Sequence, residues 1–143
     1  MKITLHKYYL QIQSDTLFNL VDVLTGVKNS KAAASWPFLY LRYPNHPMNQ
    51  IWINHEKIHF AQQLELLLIL WGILYYLEIF YFRIFMKMNA QEAYLNSSFE
   101  QECYINQVDF PYLQKRKPYA FLKYFGKDKK RVIKRNSKGY WEA

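Results

Sequence analysis

Seventeen consecutive residues, Leu66 to Phe82, carry a single charged side chain, Glu78. They belong to a longer helical pattern that opens near Gln50 and runs towards Phe85. As a helix the apolar stretch would extend about 25 Å, short of a ~30 Å hydrocarbon core. It also contains Gly72, Tyr75, Tyr76 and Tyr81. The first expectation is therefore the buried central helix of a small domain. The alternative is a membrane-inserted or monotopic helix, flanked by Arg83 and Lys87, with a Tyr and Trp content that suits an interfacial position.

The rest of the chain supplies elements to surround such a helix. Imperfect apolar–polar alternation from Ile3 to Ile12 predicts a strand. Ser14-Asp15-Thr16 offers N-cap chemistry, Leu17, Leu20, Val21 and Leu24 follow at helical spacing, and Gly26 marks the helix end. Trp36 to Tyr43 is rich in β-forming residues, and the prolines of Tyr43-Pro44-Asn45-His46-Pro47 stop a helix there. Asn96-Ser97-Ser98 is a second capping signal, ahead of a helix from Phe99 to about Val108. Tyr119 to Phe125 is amphipathic in a helical register. The expectation is one mainly helical α+β domain over residues 1–125, followed by a basic, extended tail over 126–143.

Composition excludes several classes. With 51% apolar and 19% aromatic residues the 143-residue chain is no disordered polymer. One cysteine, Cys103, excludes an internal disulfide framework and a multi-cysteine zinc module. The net charge of +8 is unevenly spread. Lys115 to Lys138 hold 11 of the 19 basic residues and one acid, Asp128, a charge of +10 that leaves −2 for the remainder. The basic region suits an anionic membrane surface or a larger protein assembly. Nucleic acid is less favoured, because no nucleic-acid module surrounds it. The first residues do not read as a secretory signal, so the expected location is cytoplasmic, with peripheral attachment at the inner face of a membrane as an option.

The sharpest motif is His55-Glu56-Lys57-Ile58-His59. Residues four apart share a helix face, so both imidazoles can meet one metal ion. Glu56 lies about 100° round the helix, able to act as general base on a water without being a ligand. Zn²⁺ suits two imidazoles and a carboxylate with an open position. The third ligand is open among Glu92, Glu100, Glu102, Asp109, Cys103, His46 and His6. Glu100 and Glu102 stand out on a helix about 40 residues downstream, pointing roughly 200° apart, so that one of them can face the metal.

The H-E-x-x-H motif followed by a helix with Glu100-x-Glu102-Cys103 resembles the gluzincin group of zinc metallopeptidases. The second element is similar to the E-x-E-A-(D/N) helix of CAAX-type membrane proteases and of ImmA-like repressor-cleaving peptidases. That resemblance implies a zinc peptidase fold of the minimal zincin type. Its ligands would be His55, His59 and Glu100 (Glu102 the alternative) and its base Glu56, with a peptide or protein as substrate. Tyr104 stands where those families carry an Asp or Asn that orients a ligand histidine. More broadly, Asn54 to Leu66, with Tyr112-x-x-Lys115-Arg116-Lys117-Pro118, resembles small uncharacterised bacterial proteins. An edge strand that aligns substrate is expected at Phe38 to Tyr43. The competing class is a non-catalytic metal-binding subunit that docks on a membrane or a larger assembly.

Overall fold

The amino-terminal alternation folds as a hairpin rather than one strand: β1 (Lys2–Leu5) pairs antiparallel with β2 (Leu10–Gln13). His6 N–H donates to Tyr9 O at 2.9 Å, and the two rings stack at 4.5 Å. In this computed structural model residues 1–25, 30–43, 45–126, 133–137 and 141–142 are described. The helix end expected at Gly26 and most of the basic tail lie outside them.

Helix α1 (Asp15–Thr25) forms where the capping signal predicts it, with Leu17 N–H donating to Ser14 Oγ. Two strands follow: β3 (Ala32–Ser35), which the sequence analysis does not anticipate, and β4 (Phe38–Leu41). The sheet order is β1-β2-β4-β3, with β2 and β4 parallel and the other pairs antiparallel. The expected edge strand is thus internal; β3 holds the edge.

Helix α2 (Asn49–Glu65) lies against this sheet, with Phe60 packed on Leu39 and Leu41 of β4. The continuous helix expected from Gln50 to Phe85 is broken. Leu67 and Leu68 take left-handed φ values of 54° and 52°, and α3 (Ile69–Ile84) leaves at 113° to α2. The break lets Leu66 enter a cluster with Tyr75, Phe99 and Phe121. A straight continuation would carry α3 away from that cluster.

The buried-central-helix expectation also fails. Of the residues in α3, Tyr75 and Phe82 are buried, while Ile69, Ile73, Leu77 and Phe80 are each more than half exposed. The neutral stretch reflects an apolar outer face rather than full enclosure. Among the described residues no single helix is long and apolar enough to cross a membrane.

A capping box between Asn89 and Glu92 opens α4 (Ala90–Asn96), and α5 (Ser98–Asn106) follows directly. Ser97 holds the N-cap position of α5 without a side-chain cap bond. Glu78 of α3 does that work: its carboxylate accepts from Ser98 N–H and Ser98 Oγ, both at 2.8 Å. Next come α6 (Tyr112–Lys115) and a 3₁₀ turn at Ala120–Tyr124. In the tail, β5 (Lys134–Arg135) pairs antiparallel with β6 (Trp141–Glu142), and Ile133 is buried. The architecture is α+β and mainly helical, with a small mixed sheet on one side of α2 and α5 on the other.

Candidate metal centre

Asn54 to His59 form the middle of α2, and each of these positions except Lys57 is buried. Asn54 Nδ2 donates to Gln107 O at 2.9 Å, which pins α2 to the end of α5. Ile58 packs on Cys103 and Tyr112 one helix face away. These contacts bring the motif and the Glu100 helix together across the α2–α5 interface.

Glu100 is the carboxylate that meets both histidines. His59 Nε2 stands 3.1 Å from Glu100 Oε1, and His55 Nε2 stands 3.3 Å from Glu100 Oε2. Tyr75, delivered by the break before α3, donates its hydroxyl to Glu100 Oε1 at 2.7 Å. Glu100 Oε2 is buried and makes no hydrogen bond among the described residues. Glu102 faces elsewhere, as the 200° offset requires. Arg116 Nε donates to it at 2.5 Å, Tyr112 at 3.0 Å and Gln62 Nε2 at 3.0 Å.

The outer nitrogens of the histidines are held by glutamines. Gln62 Nε2 donates to Phe99 O and to Glu102 Oε2, both pure acceptors, which fixes the orientation of the amide. Its Oε1 therefore faces His59 Nδ1 at 2.9 Å and must accept from it. Gln107 Oε1 lies 3.2 Å from His55 Nδ1 in the same role. Tyr104 packs edge-on against His55, with ring centroids 4.6 Å apart. Sequence reasoning missed Gln62, Gln107 and Tyr75. Gln62 could have been found, since it sits three residues after His59 on the same helix face.

Burial and charge pull in opposite directions at these groups. Burial opposes ionisation of Glu100, but the facing His59 and His55 outweigh it and hold the carboxyl well below the ordinary range. Burial likewise disfavours the His59 imidazolium, and Cys103 and Glu100 more than compensate, raising its pKa well above the usual value. Glu56 is raised by burial, against the lowering effect of the two histidines. Burial pushes the Cys103 thiol up to about 12.

His55, His59 and Cys103 offer donor atoms within 4.8 Å of one another, and this buried group could hold a metal ion. The other sequence candidates are engaged elsewhere. Glu92 serves the α4 capping box, Asp109 pairs with Lys115 at 2.7 Å, His46 stacks on Trp52 at 4.6 Å, and His6 stacks on Tyr9.

A cavity of about 640 Å³ opens beside the group, and Glu56, His59 and Glu100 line it together with Tyr75 and Tyr94. Edge strand β3 forms another wall. Gln63 reaches that strand, donating to Ala34 O at 3.0 Å and accepting from Trp36 N–H at 2.8 Å. No family model, curated protein or solved structure matches the chain.

Proposed function

We propose that the chain is a zinc-dependent hydrolase, a peptidase or a near relative, with His55, His59 and Glu100 as ligands and Glu56 as general base. The observation that carries this reading is the convergence of two Nε2 atoms on one buried carboxylate. With Nδ1 held by a glutamine oxygen, each imidazole turns its Nε2 towards a carboxylate oxygen, the nitrogen a metal ion would take once its proton is displaced. In the metal-free ion pair a proton bridges the 3.1 Å approach of His59 to Glu100, and a bound metal ion would replace it. Two ligands of a tetrahedral zinc ion, each bound at about 2.1 Å, stand about 3.4 Å apart, close to these separations. The unbonded Glu100 Oε2 would be satisfied by the same ion.

Cys103 fits less well beside that pair of nitrogens. Its sulfur lies 3.5 Å from His59 Nδ1, the ring nitrogen on the far side from Nε2. One ion cannot take both Cys103 and the Nε2 atom of the same ring. The resulting donor set of two imidazoles and one carboxylate is that of hydrolytic zinc with an open position.

Zinc, when bound, would supply Lewis acidity, polarising a substrate carbonyl and making water more acidic. Glu56 lines the cavity beside Glu100 and His59, where its carboxylate takes the proton of the attacking water and returns it to the leaving amine. Edge strand β3 can align an extended peptide by strand addition. Gln63 occupies the end of that edge at Ala34 and Trp36. Tyr76 and Tyr94 bring phenols to the same cavity.

Metal analysis of folded protein tests the site. The expected result is one zinc per chain, lost in His59→Ala, weakened in Glu100→Gln and retained in Cys103→Ser. A protein that folds without metal refutes the reading. Glu56→Gln is then expected to keep zinc and to lose cleavage of an unfolded protein substrate. Unchanged behaviour in that variant would assign the chain to the class of metal-stabilised, non-catalytic subunits.

A further inference from the structure

We infer that the outer face of α3 is a lipid-binding surface, which seats the protein in the interface of an anionic membrane. Between Leu67 and Phe85 twelve large apolar side chains are exposed. At 100° per residue, the exposed apolar positions of α3 run from Tyr76 through Ile73 and Leu77 to Leu74, an arc of about 160°. The opposite side, with Trp71, Tyr75 and Phe82, packs on the protein. Contiguous apolar surface on this scale marks an interaction site.

The charges around the face select its occupant. In residues 66–88 the one carboxylate, Glu78, is turned inwards onto Ser97 and Ser98. At the far end of α3 stand the exposed cations Arg83 and Lys87. At the near end Glu65 accepts from Arg116 and from Tyr119 N–H, which fixes the 116–125 segment beside the elbow. That segment presents exposed Lys117 and Lys123 together with exposed Tyr119, Leu122 and Phe125. A broad apolar arc with cations at both ends and no outward carboxylate complements acyl chains below anionic headgroups.

A second copy of the chain is a poorer fit. Paired helices bury a stripe little wider than about 100° each, so a dimer through α3 would leave part of the arc in water. The exposed residues are bulky Leu, Ile, Phe and Tyr, whereas close helix pairing in apolar surroundings favours small ones. The arc also places α3 along the membrane rather than across it, since α3 is 16 residues long and about 24 Å at 1.5 Å per residue.

Flotation of the full chain with phosphatidylcholine vesicles, with and without about one-third phosphatidylserine, tests this at about 0.1 and 1 M salt. The protein is expected to float with both, more strongly with phosphatidylserine at low salt, and to stay bound at high salt through its apolar face. Ile73→Asp/Leu77→Asp/Phe80→Asp, all at exposed positions, should reduce partitioning at least about a hundredfold while leaving circular dichroism unchanged. A fluorophore on Leu77→Cys, with Cys103 buried, should shift to the blue on mixing with vesicles. Failure of wild type to float, full release at high salt, or a stable dimer that the triple variant dissolves would overturn the inference.

Discussion

The two histidines are oriented by atoms that are not in the motif. Gln62 is the more exacting case: its amide is locked by Phe99 O and Glu102, so that its oxygen, also reached by Trp71 Nε1 at 3.3 Å, receives the proton of His59 Nδ1. Partners of this kind set the tautomer of a ligand histidine and typically contribute 10–100-fold in metal affinity. Gln62→Leu should therefore weaken zinc binding by about that factor in a chelator competition, measured at a temperature where the variant is still folded. Tyr75→Phe removes one donor to Glu100 without touching either histidine, and a smaller loss of about tenfold is expected. If both variants bind zinc as wild type does, these side chains only pack.

At the scale of elements, the decisive event is the turn between α2 and α3. Leu67 and Leu68 adopt positive φ, a sparsely populated backbone that costs a residue with a Cβ about 1–3 kcal/mol. Leu67 is 80% exposed, so its side chain contributes little packing there. Leu67→Asn, a residue that tolerates this conformation, should stabilise the fold by about 0.5–1 kcal/mol, and Leu67→Val should destabilise it. Thermal unfolding reads both: an upward shift of about 2–4 °C for Asn and a downward one for Val. The same turn shows what the sequence could not express. A helix break is normally announced by Gly, Pro or Asn, and Leu66-Leu67-Leu68 contains none, so the pattern from Gln50 to Phe85 read as continuous. The strain is imposed by the burial of Leu66 and the docking of Tyr75 on Glu100, both long-range demands. By contrast α1, β4 and α5 were legible, because capping residues and β-branched or aromatic runs are local signals. β3, three alanines and a serine, has no such signal and exists through pairing with β4 and its contact with Gln63.

For the molecule as a whole, the basic carboxy-terminal region is less of a free appendage than its charge suggests. Arg116, whose side chain is 4% exposed, joins Glu65 of α2 to Glu102 of α5, and Lys115 pairs with Asp109. This clasp closes the α2–α5 interface on the side away from Glu100, and through Glu102 and Gln62 it reaches His59. Glu102 is fully buried, so removing the guanidinium strands a charge in the interior, at a cost of about 3–5 kcal/mol. Arg116→Met should lower the unfolding midpoint by about 6–20 °C, given about 2–4 °C per kcal/mol in a domain of this size. Arg116→Lys should recover only part of the loss, because a single ammonium cannot reproduce a fork that reaches two carboxylates. Glu102→Gln added to Arg116→Met removes the stranded charge, and the double variant should be more stable than Arg116→Met alone. Additive losses would instead mean that the clasp stabilises by packing and that its charges contribute nothing to each other.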